Sequence, residues 1–243
     1  MAIFSSTSAS ITGIKFNTIA DIPNIDMWWD ASDVSSLSTV STQAPVSVVA
    51  ICTSPLIVNL TTTTTISSLG TINSAYDADL SGYCWIFDNN TNAGNKIAFS
   101  TSSSDIASDK PFTIEFWVKP TTFGLSAASI IYDQTTLSVS VLPDHRVQIT
   151  ALDINRRILL HTTGIYLSAG IWSHIAICKP STSSYNVSFY VYHNGQFAGI
   201  AYTERLAVEG DIPFPRTVGG LFANNDFDFS GSIANFRIWK YDR

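Results

Sequence analysis

The segment Phe112-Thr-Ile-Glu-Phe-Trp-Val-Lys119 constrains this chain more than any other. Its side chains alternate with period two. Phe112, Ile114, Phe116 and Val118 take one face, and Thr113, Glu115, Trp117 and Lys119 the other. Pro111 and Pro120 bound it, since a residue without a backbone N–H sits best at the end of a ladder. The pattern predicts a strand of a half-buried antiparallel sheet with its apolar face in a core. Burying that face is worth about 25 cal/mol per Å² of apolar area, an upper-bound figure. Trp117 is the oddity, a large indole on the face otherwise given to polar residues.

Shorter strands repeat the theme. Tyr83–Phe87, Lys96–Ser100, Ser129–Tyr132, Thr136–Leu142, Val147–Leu152, Arg157–Thr162, Ile171–Lys179 and Gly231–Trp239 read as strands between turn residues. Asn194-Gly195 joins two apolar runs and predicts a type I′ hairpin within 186–202. In the last strand Phe236 and Ile238 share a face, while Arg237 and Trp239 take the opposite one. Upstream, Val46–Cys52 and Pro55–Leu60 read as strands, and Thr61–Thr65 as a strand or surface loop. Residues 88–95 read as a long turn and 204–216 as a loop. Many short strands with turns between them predict a two-sheet antiparallel jelly-roll sandwich, all-β throughout.

A length of 243 residues suits one such domain. Residues 1–22 form a polar N-terminal arm, either a mobile tail or an extended segment that orders on a partner; the sandwich occupies 23–243. Between them, Trp28 and Trp29 face opposite ways in an extended chain, so one of the two anchors this segment to the sandwich. A hydrophobic share of 45% beside 13% charged residues implies a surface of Ser, Thr, Asn and Gly, or one partly covered by partners. The net charge of −6 excludes nucleic acid as a partner, and Arg156-Arg157 reads as a solvated pair. Cys52, Cys84 and Cys178 are too scattered for a disulfide framework or zinc site, and the last two read as buried thiols. The N-terminus shows no basic and apolar signal regions, and no run approaches the ~18 apolar residues of a membrane span. The sequons at Asn59, Asn89 and Asn186 then read as chance. The expectation is synthesis in a cytoplasm and, if the protein leaves, departure within an assembly.

Four motifs occur in a familiar order: PFTIEFWVKP, GIWSHIAI, FYVYHNGQFAG and FSGSIANFRIWKYDR. Together they resemble the laminin-G/pentraxin-like branch of the concanavalin A-like lectin/glucanase jelly rolls over about residues 76–243. Residues 23–75 are then a lead-in, and MWWDASDVSSLST within it is similar to a segment preceding such modules in phage structural and bacterial surface proteins. The resemblance implies glycan binding, often beside calcium, or adhesive and decorating roles.

Glucanases of that superfamily need paired carboxylates, ~5–5.5 Å apart for retention. The chain has three glutamates, Glu115, Glu204 and Glu209, and no acid at 113 or 117 to share a face with Glu115. Glu115 reads as solvated or lysine-paired, and the chain as no enzyme. His145, His161, His174 and His193 are scattered, and Ser173 and His174 face opposite ways on a strand. A sugar or partner site would use the face carrying Trp117, Glu115, Tyr190, Tyr192 and Trp239, unless another layer or subunit covers it. For calcium, Asn224, Asn225, Asp226 and Asp228 supply hard oxygens, with 77–79 and 88–95 as further candidates; turn capping is the plainer role for all of them. Ala234 and Asn235 stand where the family often carries acidic residues before Arg-Ile-Trp, which weakens the calcium case.

These features predict a virion structural protein, a capsid decoration or tail component of a phage. It would be homo-oligomeric, attached to other virion proteins or sister subunits through the arm, and free of any required cofactor. The alternative is a carbohydrate-binding adhesin module, with or without calcium, at a bacterial surface or outside the cell and reading host-surface glycans.

Overall fold

The computed structural model describes residues 10–11, 14–15, 25–29, 46–47, 65–69, 73–89, 95–100, 106–107, 111–132, 137–152, 158–180, 187–203, 211–212, 217–220 and 228–239. Its strands are β1 (Ser10–Ile11), β2 (Ile14–Lys15), β3 (Ile25–Trp29), β4 (Val46–Ser47), β5 (Thr65–Leu69), β6 (Asn73–Asp77), β7 (Gly82–Phe87), β8 (Lys96–Ser100), β9 (Ile106–Ala107) and β10 (Phe112–Pro120). The chain continues with β11 (Ala128–Tyr132), β12 (Leu137–Val141), β13 (Arg146–Leu152), β14 (Ile158–Tyr166), β15 (Ser173–Lys179), β16 (Val187–His193), β17 (Gln196–Thr203), β18 (Asp211–Ile212), β19 (Thr217–Val218) and β20 (Gly231–Trp239).

Two antiparallel sheets form a sandwich. The front sheet runs β17-β16-β15-β10-β20-β7-β6, and the back sheet β14-β13-β12-β11-β19-β8-β5-β4. The jelly-roll sandwich predicted from the strand pattern is present. Strand β10 lies at the middle of the front sheet, between β15 and β20. Its Phe112, Ile114, Phe116 and Val118 enter the core, where Phe116 stacks on Phe236 with ring centroids 6.2 Å apart. The Asn194-Gly195 hairpin has positive φ at both residues (49° and 77°), as a type I′ turn requires. Cys84 and Cys178 are buried and unbridged.

The closing strand is shared. Residues 231–233 of β20 pair with β7, and residues 236–239 pair with β3. Trp28 stands opposite Arg237 and Trp29 opposite Phe236, so the Trp-Trp segment joins the front sheet through its backbone. Strand β6 was not legible, because Asn73-Ser-Ala-Tyr-Asp has no apolar alternation; it forms as the first arm of a hairpin with β7. Strand β14 runs to Tyr166, past the Thr162 at which the sequence pattern stops. The predicted strand at Pro55–Leu60, the Arg156-Arg157 pair and all of the arm except β1 and β2 lie outside the described residues.

Candidate functional site

On the outer face of the front sheet, each β10 residue meets a defined neighbour on either side. Thr113 lies between Cys178 and Trp239, Glu115 between Ala176 and Arg237, and Trp117 between His174 and Ala234. A β-bulge in β20 makes this possible: Asn235 and Phe236 together oppose Phe116, and Asn235 takes φ = 49°. Without the extra residue, Arg237 and Trp239 would turn away from Glu115. With it, Glu115 Oε1 accepts from Trp239 Nε1 at 2.9 Å and from Arg237 Nη1 at 3.3 Å, and Oε2 lies 3.4 Å from His174 Nε2.

Glu115 is therefore not the solvated or lysine-paired carboxylate expected. It is 7% exposed and held by an arginine, an indole N–H and an imidazole. A carboxylate removed from water needs this kind of saturation. Its cross-strand neighbours are Ala176 and Arg237, so no second carboxylate occupies its row for glycoside hydrolysis. Trp239 is 2% exposed and spends its N–H on Glu115, which makes it part of this buried cluster. Trp117 is half-buried, its ring 5.2 Å from that of His174.

The two tyrosines lead to a different edge. Tyr190 and Tyr192 sit half-buried on the outer face of β16, beside the sheet-edge strand β17. Phe197 of β17 stands against both, with centroids 6.2 Å from Tyr190 and 5.8 Å from Tyr192, edge to face in each case. Phe197 is 58% exposed. Sequence reasoning missed it because a second bulge changes the alternation. Val191 pairs with Gly199 but Tyr192 pairs with Phe197, leaving Ala198 as the extra residue. In an unbroken ladder Ala198 would oppose Tyr192 and Phe197 would turn to the other face. Gly199, at φ = 149°, supplies the backbone conformation. A glycine two residues after an aromatic near a hairpin was the available signal. Burial pushes the Tyr192 phenol above its ordinary pKa, so this hydroxyl stays protonated near neutrality.

Of the calcium candidates, Asp228 has a buried side chain whose Oδ1 lies 3.4 Å from Lys96 Nζ. Gly220 leaves room for that carboxylate, since a Cβ there would lie 1.9 Å from Oδ1. Asn224, Asn225 and Asp226 lie outside the described residues. Asp77 caps a turn, its Oδ1 accepting from the backbone N–H of Asp79 and Leu80 while Oδ2 pairs with Lys119. Burial pushes the Asp77 carboxyl up, but the Lys119 ammonium and the backbone N–H of Leu80 outweigh it and leave the group below its ordinary pKa. Asn89 and Asn95 are likewise structural: Asn89 Nδ2 donates to the carbonyls of Asn95 and Phe229, and its Oδ1 accepts from Asn95 N–H at 2.7 Å. No group of three His, Cys, Asp or Glu among the described residues is arranged to hold a metal ion.

The family described as the Concanavalin A-like lectin/glucanases superfamily (Laminin_G_3) matches residues 62–243. No curated protein matches the chain. Among solved structures, the chain is similar to the binding domain of Paraclostridial Mosquitocidal Protein 1, at 16% identity and a TM-score of 0.56 over 74% of this chain and 45% of that one. It is also similar to the binding domain of botulinum neurotoxin DC in complex with rat synaptotagmin II, at 13% identity and a TM-score of 0.54 over 74% and 44%. A third is a structure of botulinum neurotoxin type C, whose cell entry is described as dependent upon interaction with two ganglioside molecules, at 13% identity and a TM-score of 0.53 over 74% and 44%. At these identities the likeness shows the fold alone, and the chain spans less than half the length of each of these structures. Two of these neighbours are toxin binding domains and the third is a neurotoxin structure, so they lend nothing to the virion component anticipated above.

Proposed function

The chain belongs to the Concanavalin A-like lectin/glucanases superfamily, and we propose that it acts as a non-catalytic, lectin-like module that binds carbohydrate through the β16–β17 edge of its front sheet. The observation that carries this reading is the Tyr190–Tyr192–Phe197 cluster. Three aromatic rings converge on an outer sheet face, and the most exposed of them is aimed there by a bulge. Aromatic rings with polar tips suit ligands that are apolar on one side and hydroxylated around the rim. Trp117, half-buried against His174, extends the aromatic surface towards the middle of the sheet. A toxin binding domain and a neurotoxin described with gangliosides, both of the same fold, support a surface-recognition role.

This reading takes the place of the virion role as the main one. That role was tied to an attaching arm at 1–22, of which only β1 and β2 are described. The test is an array of bacterial and animal glycans probed with the full chain. Binding that is lost in Phe197→Ala, with the circular dichroism spectrum unchanged, supports the proposal. An array with no signal overturns it.

A further inference from the structure

Resting on that lectin reading, we infer that the ligand of the β16–β17 edge is a neutral saccharide longer than one ring, held by stacking and phenol hydroxyls without metal or ionic contacts. Its immediate surroundings on the face are fixed by register. Tyr190 has Cys178 on one side and Ile200 on the other, and Tyr192 has Ala176 and Phe197. None of these carries charge. The next charged residue along the Tyr192 row is Glu115, two strands away and buried against Arg237 and His174. His193 lies on the opposite face, across from Ile175 of the core. Among the described residues, no cross-strand neighbour of the three rings offers a cation to a carboxylate or sulfate placed over them, so such a group would give up water without a paired charge in return.

A neutral sugar meets a different balance. The Tyr190 and Tyr192 hydroxyls make no hydrogen bond with another described residue, so each offers one O–H donor and acceptor lone pairs to ligand hydroxyls. Residues 190 and 192 lie ~6.6–6.8 Å apart along the strand by its rise, and Phe197 stands about as far across from each. No single sugar ring covers all three. Two phenols fall far short of the six to eight oxygens that calcium takes, so metal has no part in this contact.

The experiment uses the full chain on arrayed neutral, sialylated and sulfated glycans, at low and high sodium chloride and with or without EDTA. Expected is binding to neutral oligosaccharides, unchanged by EDTA and by salt, absent on the corresponding monosaccharides and weakened at least about tenfold in Tyr192→Ala and in Phe197→Ala. Binding confined to acidic glycans, or abolished by salt or EDTA, overturns this inference while leaving the lectin reading in place. Neutral binding that both variants retain overturns the assignment to this edge. No binding to any glycan removes the lectin reading itself.

Discussion

Glu115 shows how far one residue's environment can depart from its sequence setting. Alternation placed it correctly opposite the core side of β10, and from there a solvated carboxylate was the natural expectation. What the sequence does not display is that Arg237 and Trp239, more than a hundred residues later, reach the same row only through the Asn235 bulge. Replacing Glu115 by alanine takes one carboxylate contact from the buried Arg237 guanidinium and one acceptor from the Trp239 N–H. Removing one member of a buried ion pair costs about 3–5 kcal/mol. Urea unfolding of Glu115→Ala is therefore expected to show a loss of that order. Glu115→Gln, which keeps an acceptor for the indole, is expected to lose less. A loss in Glu115→Ala of under about 0.5 kcal/mol, the range of ordinary surface changes, would refute the account.

At the scale of elements, the legible parts were those governed by local pattern. The apolar face of β10, the Asn194-Gly195 turn and the strands from β7 to β17 other than β9 follow from period-two alternation and turn chemistry. The illegible parts were set by partners. Strand β6 exists because β7 is there to pair with, and β3 because β7 leaves the 236–239 stretch of β20 free. Both bulges also escaped the pattern, and each decides which side chains share a face. The β17 bulge yields a prediction of its own. A Cβ on Gly199 would meet nothing within 4 Å, so the cost of Gly199→Ala is conformational rather than steric. Holding a non-glycine residue at such a φ costs about 1–3 kcal/mol. The variant should melt earlier, and the edge-to-face contacts of Phe197 should loosen, visible as altered near-ultraviolet circular dichroism. A melting temperature and near-ultraviolet spectrum equal to the wild type would show that the bulge does not depend on glycine.

For the whole molecule, two groups at opposite ends of the front sheet make stability fall on the acid side. Burial, with a smaller contribution from His174, holds the His193 imidazole below its ordinary pKa of 6.5. The Asn194 amide lies 3.3 Å from His193 Nε2 and donates to it when the imidazole is neutral with its proton on Nδ1. As pH drops through about 6.5 the unfolded chain takes up this proton before the folded one does, so stability declines until folded His193 protonates too. Asp77 acts lower down. Its folded pKa lies below the ordinary 3.8, so its contribution is complete above that value and is lost as pH falls through the folded one. Urea midpoints measured from pH 8 to pH 3 should thus decline in two stages, the first beginning near 6.5 and the second below about 4. His193→Gln should remove the first stage and leave the second, while Asp77→Asn should shrink the second, leaving the share of Asp144, and lower stability at neutral pH by breaking the contact with Lys119. If His193→Gln keeps the full first stage, burial of His193 is not what ties this fold to pH near neutrality.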